Sequence, residues 1–132
     1  MSRRLAREEL FKLVFEGEIK EENTNDILES YLKRDDILKN ENEIAFIKKY
    51  MNGIAENNDK ILKIIEEKIT GWSFERIGNV EKSLLKISVY EILCEDTPYE
   101  IVINEAVELA KIYGDEKTSE FINGVLAKIV NN

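Results

Sequence analysis

The sequence predicts an all-α fold of about seven helices in two packed helical subdomains, divided near Gly71 into residues of about 1–71 and 72–132. Three observations predict it. Apolar residues recur at three- and four-residue spacing along almost the whole chain, the period of a helix with one buried face. No pair of segments reads as strands, and no internal repeat or low-complexity linker interrupts the pattern. The breaks fall at Gly, Asn, Asp and Pro, the residues that cap and end helices.

The first helix is expected over 3–16, with Ser2 as its cap and Gly17 as its stop; Ala6, Leu10, Leu13 and Val14 share one face. A short second helix through NDILESYLKR shows Ile27, Leu28, Tyr31 and Leu32 at helical spacing. The third, NEIAFIKKYMNGIAEN, presents Ile44, Ile47, Met51 and Ile54. The fourth, DKILKIIEEKI, follows the cap signal Asn57–Asn58 and ends at Thr70–Gly71. GWSFERIGN is a break in which Ser73 caps a short turn. The fifth helix, VEKSLLKISVYEILCE, is expected to be capped by Asn79. Pro98, the one proline, suits the first turn of the sixth helix. That helix closes at Gly114, expected as a left-handed glycine after the last turn. The seventh, TSEFINGVLAKIV, starts from a cap at Thr118 or Ser119.

A chain of 132 residues is one domain's length and buries roughly two-thirds of its unfolded surface without a disulfide or metal staple. Its 43% apolar and 35% charged residues make a globular mixture. No apolar run approaches the ~20 residues of a membrane span, and Glu8 and Glu9 follow the basic start too soon for a signal peptide. The lone Cys94 forms no internal disulfide, which fits a reducing cytoplasm. Histidine is absent. That removes His-based nucleophile systems, the usual neutral-pH proton shuttle and nearly every zinc site. Neither GxGxxG nor a Walker A pattern occurs, so no cofactor is expected. A binding protein is favoured over a carboxylate enzyme.

Charge is unevenly placed on a chain of net charge -8. Residues 1–12 carry four basic groups against two acids, residues 13–110 carry 12 against 22, and residues 111–132 carry three of each. Such a molecule can meet a polyanion at one place and a basic protein at another. Arg3 and Arg4 lie four and three residues before Arg7, so the three share one helical face. A solvated basic turn is the plain alternative. Cations at a helix N-terminus oppose the macrodipole, however, so three there suggest an external anion, which the first-turn N–H groups would help to bind.

Phe11 and Phe15 continue the same side of that helix, as core packing or as an aromatic surface. Glu105 and Glu108 are paired at i, i+3, more readily as a surface pair than as a metal or acid–base site. Gly124 inside an apolar helix costs about 1 kcal/mol against alanine, which predicts close approach of another helix there. Asn123 is expected as a polar contact between helices. Phe121 is either core or a stacking residue.

Together, SRRLARE, Trp72 followed by ER, VEKSLLKISVYEIL, TPYEIVINEAVELAKIYG and FINGVLAKI resemble the NusB family of transcription antitermination factors, over residues 2 to about 129. The resemblance implies a single NusB-like RNA-binding domain over 1–132, non-enzymatic and cytoplasmic. The implied partners are single-stranded boxA-type RNA of rRNA leader transcripts, the ribosomal protein NusE, and the elongation complex with RNA polymerase, which then reads through terminators. It carries an RNA role onto Arg3, Arg4, Arg7 and Phe121; Lys117, a departure from the family's pattern, is a further candidate RNA contact in place of the basic residue missing at Leu5. It carries a protein-partner role onto Phe15 and Glu81. Leu5 stands where the family often has a third basic residue, Lys117 where an acid is common, and Phe15 where tyrosine is usual. The family's helical module also occurs fused to rRNA methyltransferases, whose cofactor-binding half is not expected here. A protein-only helical adaptor and a carboxylate enzyme using Glu105 and Glu108 stay open as rivals, as does a homodimer that covers the arginines.

Overall fold

The computed structural model describes residues 2–69, 71 and 73–131. These hold seven α-helices and no strand: α1 (Ser2–Lys20), α2 (Thr24–Tyr31), α3 (Glu41–Glu56), α4 (Asn58–Lys68), α5 (Asn79–Cys94), α6 (Tyr99–Tyr113) and α7 (Glu116–Val130). A 3₁₀ turn at Phe74–Arg76 precedes α5. The expected all-α class is therefore found. Thr70, Trp72 and the Ser2 side chain lie outside the described residues. No described helix is long and apolar enough to cross a membrane.

One hydrophobic cluster takes side chains from every helix, including Leu10, Ile27, Ile47, Ile61, Leu84, Ala110 and Ile122. Helix α1 lies against α2, α3 and α5, and α6 pairs along its length with α7. Burial of each Leu or Ile stabilises by roughly 1.5–3 kcal/mol. The cluster thus holds the basic start of α1 firmly against helices from the other half of the chain.

Helix ends differ most from expectation. Gly17 does not stop α1, which continues to Lys20. The helix closes instead where Glu22 N–H donates to the Gly17 carbonyl at 3.0 Å, across Glu21 at φ 57°. Gly17 is needed for space: a Cβ there would lie 3.0 Å from the Glu22 carbonyl oxygen and 3.4 Å from Ile27. Asn57 precedes α4 but makes no cap hydrogen bond to it. Its amide donates back to the Gly53 carbonyl at 2.8 Å and closes α3 instead. The cap of α5 is Gly78, with Asn79 its first helical residue.

Asp115, rather than Thr118 or Ser119, caps α7 by accepting from Thr118 N–H at 2.9 Å. Gly114 has φ -119° and is not left-handed. A side chain there would meet Thr118 at 2.7 Å, so the glycine serves the tight α6–α7 connection through its size. Pro98 sits just before the first residue of α6, where its missing N–H costs nothing.

Candidate functional site

The first turns of α1 face α3 and the α5–α6 connection across an open cleft of about 1370 Å³. Arg3 and Arg4 are exposed at its rim, while Phe46, Tyr50 and Glu91 are buried at its floor. The sequence sets this up simply. Asn42, Ala45, Phe46, Lys49 and Tyr50 all line the cleft, and their spacing puts them on one side of α3.

Beneath the rim lies a buried polar network. Arg7, only 9% exposed, reaches Glu91 through both terminal guanidinium nitrogens, with Nη1 2.8 Å from Oε1 and Nη2 on Oε2. Tyr50 donates to Glu91 Oε2 at 2.7 Å and Thr97 donates to it at 2.9 Å. One carboxylate therefore ties α1, α3, α5 and the α5–α6 connection together. Burial alone works against the charged carboxylate. The hydrogen bonds and charge of Arg7, with the Tyr50 and Thr97 hydroxyls, outweigh it and hold Glu91 below the ordinary carboxyl range. For Tyr50, burial and the adjacent Glu91 charge push the hydroxyl well above its ordinary value, so it stays a donor.

The two rim arginines are held loosely. The Arg3 guanidinium carbon lies 4.3 Å from the Phe46 ring centroid, a cation–π contact that covers the ring. Arg4 approaches Glu105 at 3.4 Å, with its side chain 70% exposed. Such pairs contribute little and exchange readily for another anion. The cleft as a whole is not basic. Arg3, Arg4, Arg7 and Lys49 line it with Glu8, Glu91, Glu95, Asp96 and Glu105, four cations against five acids. The positive charge available to a ligand is at the rim.

The NusB family model matches residues 2–131. The chain belongs to the NusB family. It is 45% identical to the transcription antitermination protein NusB of Fusobacterium nucleatum, over 96% of this chain and 86% of that protein. It is 42% identical to NusB of Clostridium perfringens, over 100% and 98% respectively. Among solved structures, NusB of T. maritima superposes with a TM-score of 0.86 at 33% identity, covering 98% of this chain and 91% of that one. A structure of antitermination factors NusB and NusE in complex with dsRNA gives 0.84 at 30% identity, covering 98% and 96%.

In this NusB-family chain the residues singled out by sequence do not gather into one cluster. Arg3 and Arg4 share the cleft rim, but the Arg7 guanidinium does not join them in solvent; it is turned inward onto Glu91. Phe121 is half-buried in a separate shallow depression with Lys68, Ile69, Gly124 and Lys128. Lys117 is exposed in the first turn of the same helix, α7.

Glu81 lies between the starts of α5 and α7. It fills the space a side chain at Gly78 would need, and the Thr118 hydroxyl is 3.5 Å away. Phe15 is half-buried and stacks on buried Phe11 at 5.7 Å.

Two expectations fail here. Among the described residues nothing lies within 4 Å of a side chain placed at Gly124, so the expected close helix contact is not found there, and Asn123 is exposed rather than held between helices. Glu105 and Glu108 meet Arg4 and Lys111, the latter at 3.9 Å. Phe46, Tyr50, Glu91 and Thr97 were not foreseen. The one available signal was Glu91 itself, an acid in register with Leu84, Ile87 and Ser88 on the buried face of α5.

Proposed function

We propose that this chain is a non-enzymatic RNA-binding transcription antitermination factor of the cytoplasm. It binds single-stranded boxA-type RNA of rRNA leader transcripts jointly with a NusE-type ribosomal protein, and the assembly promotes read-through by RNA polymerase. The observation that carries this reading is the exposed Arg3–Arg4 pair, fixed on a rigid helix at the mouth of an aromatic-floored cleft, in a chain matched by its family from residue 2 to 131. The solved NusB–NusE complex with dsRNA supports both partner classes.

In this reading Arg3 and Arg4 take RNA phosphates, and Arg7 positions them by fixing the first turns of α1. Phe121 and Lys117 extend the RNA surface along α7. Phe15 and Glu81 belong to the protein-partner side, where the acidic middle of the chain attracts a basic ribosomal protein. The unpaired bases supply specificity through stacking and edge hydrogen bonds.

The test is a titration of labelled boxA-type strand, scrambled strand and duplex, at two salt concentrations, with and without the NusE-type protein. Selective binding of the boxA-type strand that needs the partner is the expected result. If the partner binds and no RNA gains affinity, the chain is a protein-only adaptor instead.

A further inference from the structure

We propose that the face of α3 opposite the arginines is a second RNA-contacting element, in which Phe46 is the stacking platform for one unpaired base and Asn42 reads that base's edge. The inference rests on the RNA-binding reading above and assigns α3 a part in it.

The geometry of one side chain leads to it. Phe46 is 6% exposed and lines the cleft, where the exposed Arg3 guanidinium lies 4.3 Å from its ring centroid and the buried Arg7 guanidinium, held on Glu91, lies farther off at 5.8 Å. A guanidinium on an aromatic face holds the place of any flat, polarisable group, and nucleobases stack on the same surface. The ring is otherwise firmly seated, with Tyr50 at 4.2 Å between centroids and Tyr50 itself anchored on Glu91. A base can therefore displace Arg3 without disturbing the floor. The released guanidinium remains at the rim, where the phosphate of that same nucleotide would lie.

Charge decides which end of the nucleotide enters. The lining carries five carboxylates against four cations, two of them the rim arginines, so a phosphate is repelled from the interior while a neutral base is not. Asn42 stands one helical turn before Phe46, exposed on the same side of α3, and its amide offers both donor and acceptor to a base edge. Ala45 between them takes little room. The cleft volume of about 1370 Å³ exceeds the ~300–1,000 Å³ of small-ligand pockets, which favours a segment of polymer over a free nucleotide.

The experiment compares wild type, Phe46→Leu, Phe46→Tyr and Asn42→Ala in complex with the NusE-type protein. Each is titrated with boxA-type strand and with strands abasic at one position in turn, after thermal unfolding and partner affinity have been checked. Phe46→Leu is expected to weaken RNA binding roughly 5- to 150-fold, the span of one lost base stack, with partner affinity unchanged and with Phe46→Tyr near wild type. One abasic position should weaken wild type by a similar factor and leave Phe46→Leu unaffected. That coupling is what a merely structural role for the ring would not produce.

If Phe46→Leu does not fold, wild type is photocrosslinked to strands carrying 4-thiouridine at each position. A crosslink within Asn42–Tyr50 supports the inference; crosslinks confined to other elements overturn it. Wild-type RNA binding with no loss in Phe46→Leu and no abasic coupling overturns the α3 platform alone. Absence of RNA binding by wild type overturns the functional reading and the platform with it.

Discussion

Removing one partner of the Arg7–Glu91 pair leaves a full charge in a place almost closed to water. Arg7→Met or Glu91→Leu alone should cost about 3–5 kcal/mol, because the remaining ion keeps its desolvation penalty and loses its counter-charge. The double variant Arg7→Met/Glu91→Leu should be markedly more stable than either single one, as urea unfolding midpoints will show. The same pair sets an acid limit. Glu91 has a folded pKa below its ordinary value of 4.5, so its contribution is complete above about pH 4.5 and is lost as pH falls through the lowered folded value. Between about pH 5 and pH 3 the unfolding midpoint of wild type should therefore fall more steeply than that of Glu91→Gln; parallel profiles would exclude the pair as the source. Residue spacing placed Arg7 with Arg3 and Arg4 because helical periodicity reports which face a side chain leaves from. It does not report a partner 84 residues away.

Two glycines inside helices carry opposite consequences for the elements that hold them. At Gly53 of α3, a Cβ would strike the Tyr90 ring of α5, so the glycine sets how closely these helices cross. Gly53→Ala should destabilise by about 1–3 kcal/mol through overpacking. At Gly124 of α7 a Cβ meets nothing within 4 Å among the described residues, and Gly124→Ala should stabilise by about 0.5–1 kcal/mol through helix propensity. Thermal unfolding of the two variants checks both signs; equal shifts would contradict this assignment of the glycines. The contrast also shows what sequence conveys at this scale. All seven helices were legible because each needs one continuous apolar face, and Leu10, Ile47 and Leu84 are buried as that pattern requires. Caps and glycines were not. Asn57 and Asp115 bond Gly53 and Thr118, four and three residues away, where adjacent residues offer equivalent caps, and Gly17 and Gly124 differ only in the space around them. In the site, the rim arginines were legible as cations set against the helix macrodipole, whereas Phe46 and Tyr50 lie off the Ile44, Ile47, Met51 and Ile54 pattern and were not singled out.

Across the whole molecule, the fold converts a basic stretch of sequence into a very small basic surface. Four cations precede residue 13 on a chain of net charge -8, but Arg7 is neutralised by Glu91 and the cleft lining is slightly acidic. Two exposed guanidiniums, Arg3 and Arg4, remain at this site, and these are the ones the proposed function assigns to phosphate. Each phosphate neutralised on a single strand contributes about -0.7 to the slope of log affinity against log salt. The cleft's own share is then about -1.4, against about -2 if all three arginines reached RNA. In the proposed function such a share gives weak binding alone and makes a partner's contacts decisive. Arg3→Ala and Arg4→Ala should each flatten the slope by about 0.7. Arg7→Met/Glu91→Leu, which removes one charge of each sign from the interior, should leave it unchanged. Affinities measured over a range of salt with the NusE-type partner present decide the matter. A slope that flattens when the buried pair is removed would mean that Arg7 leaves Glu91 to meet RNA, and that the network opens on binding.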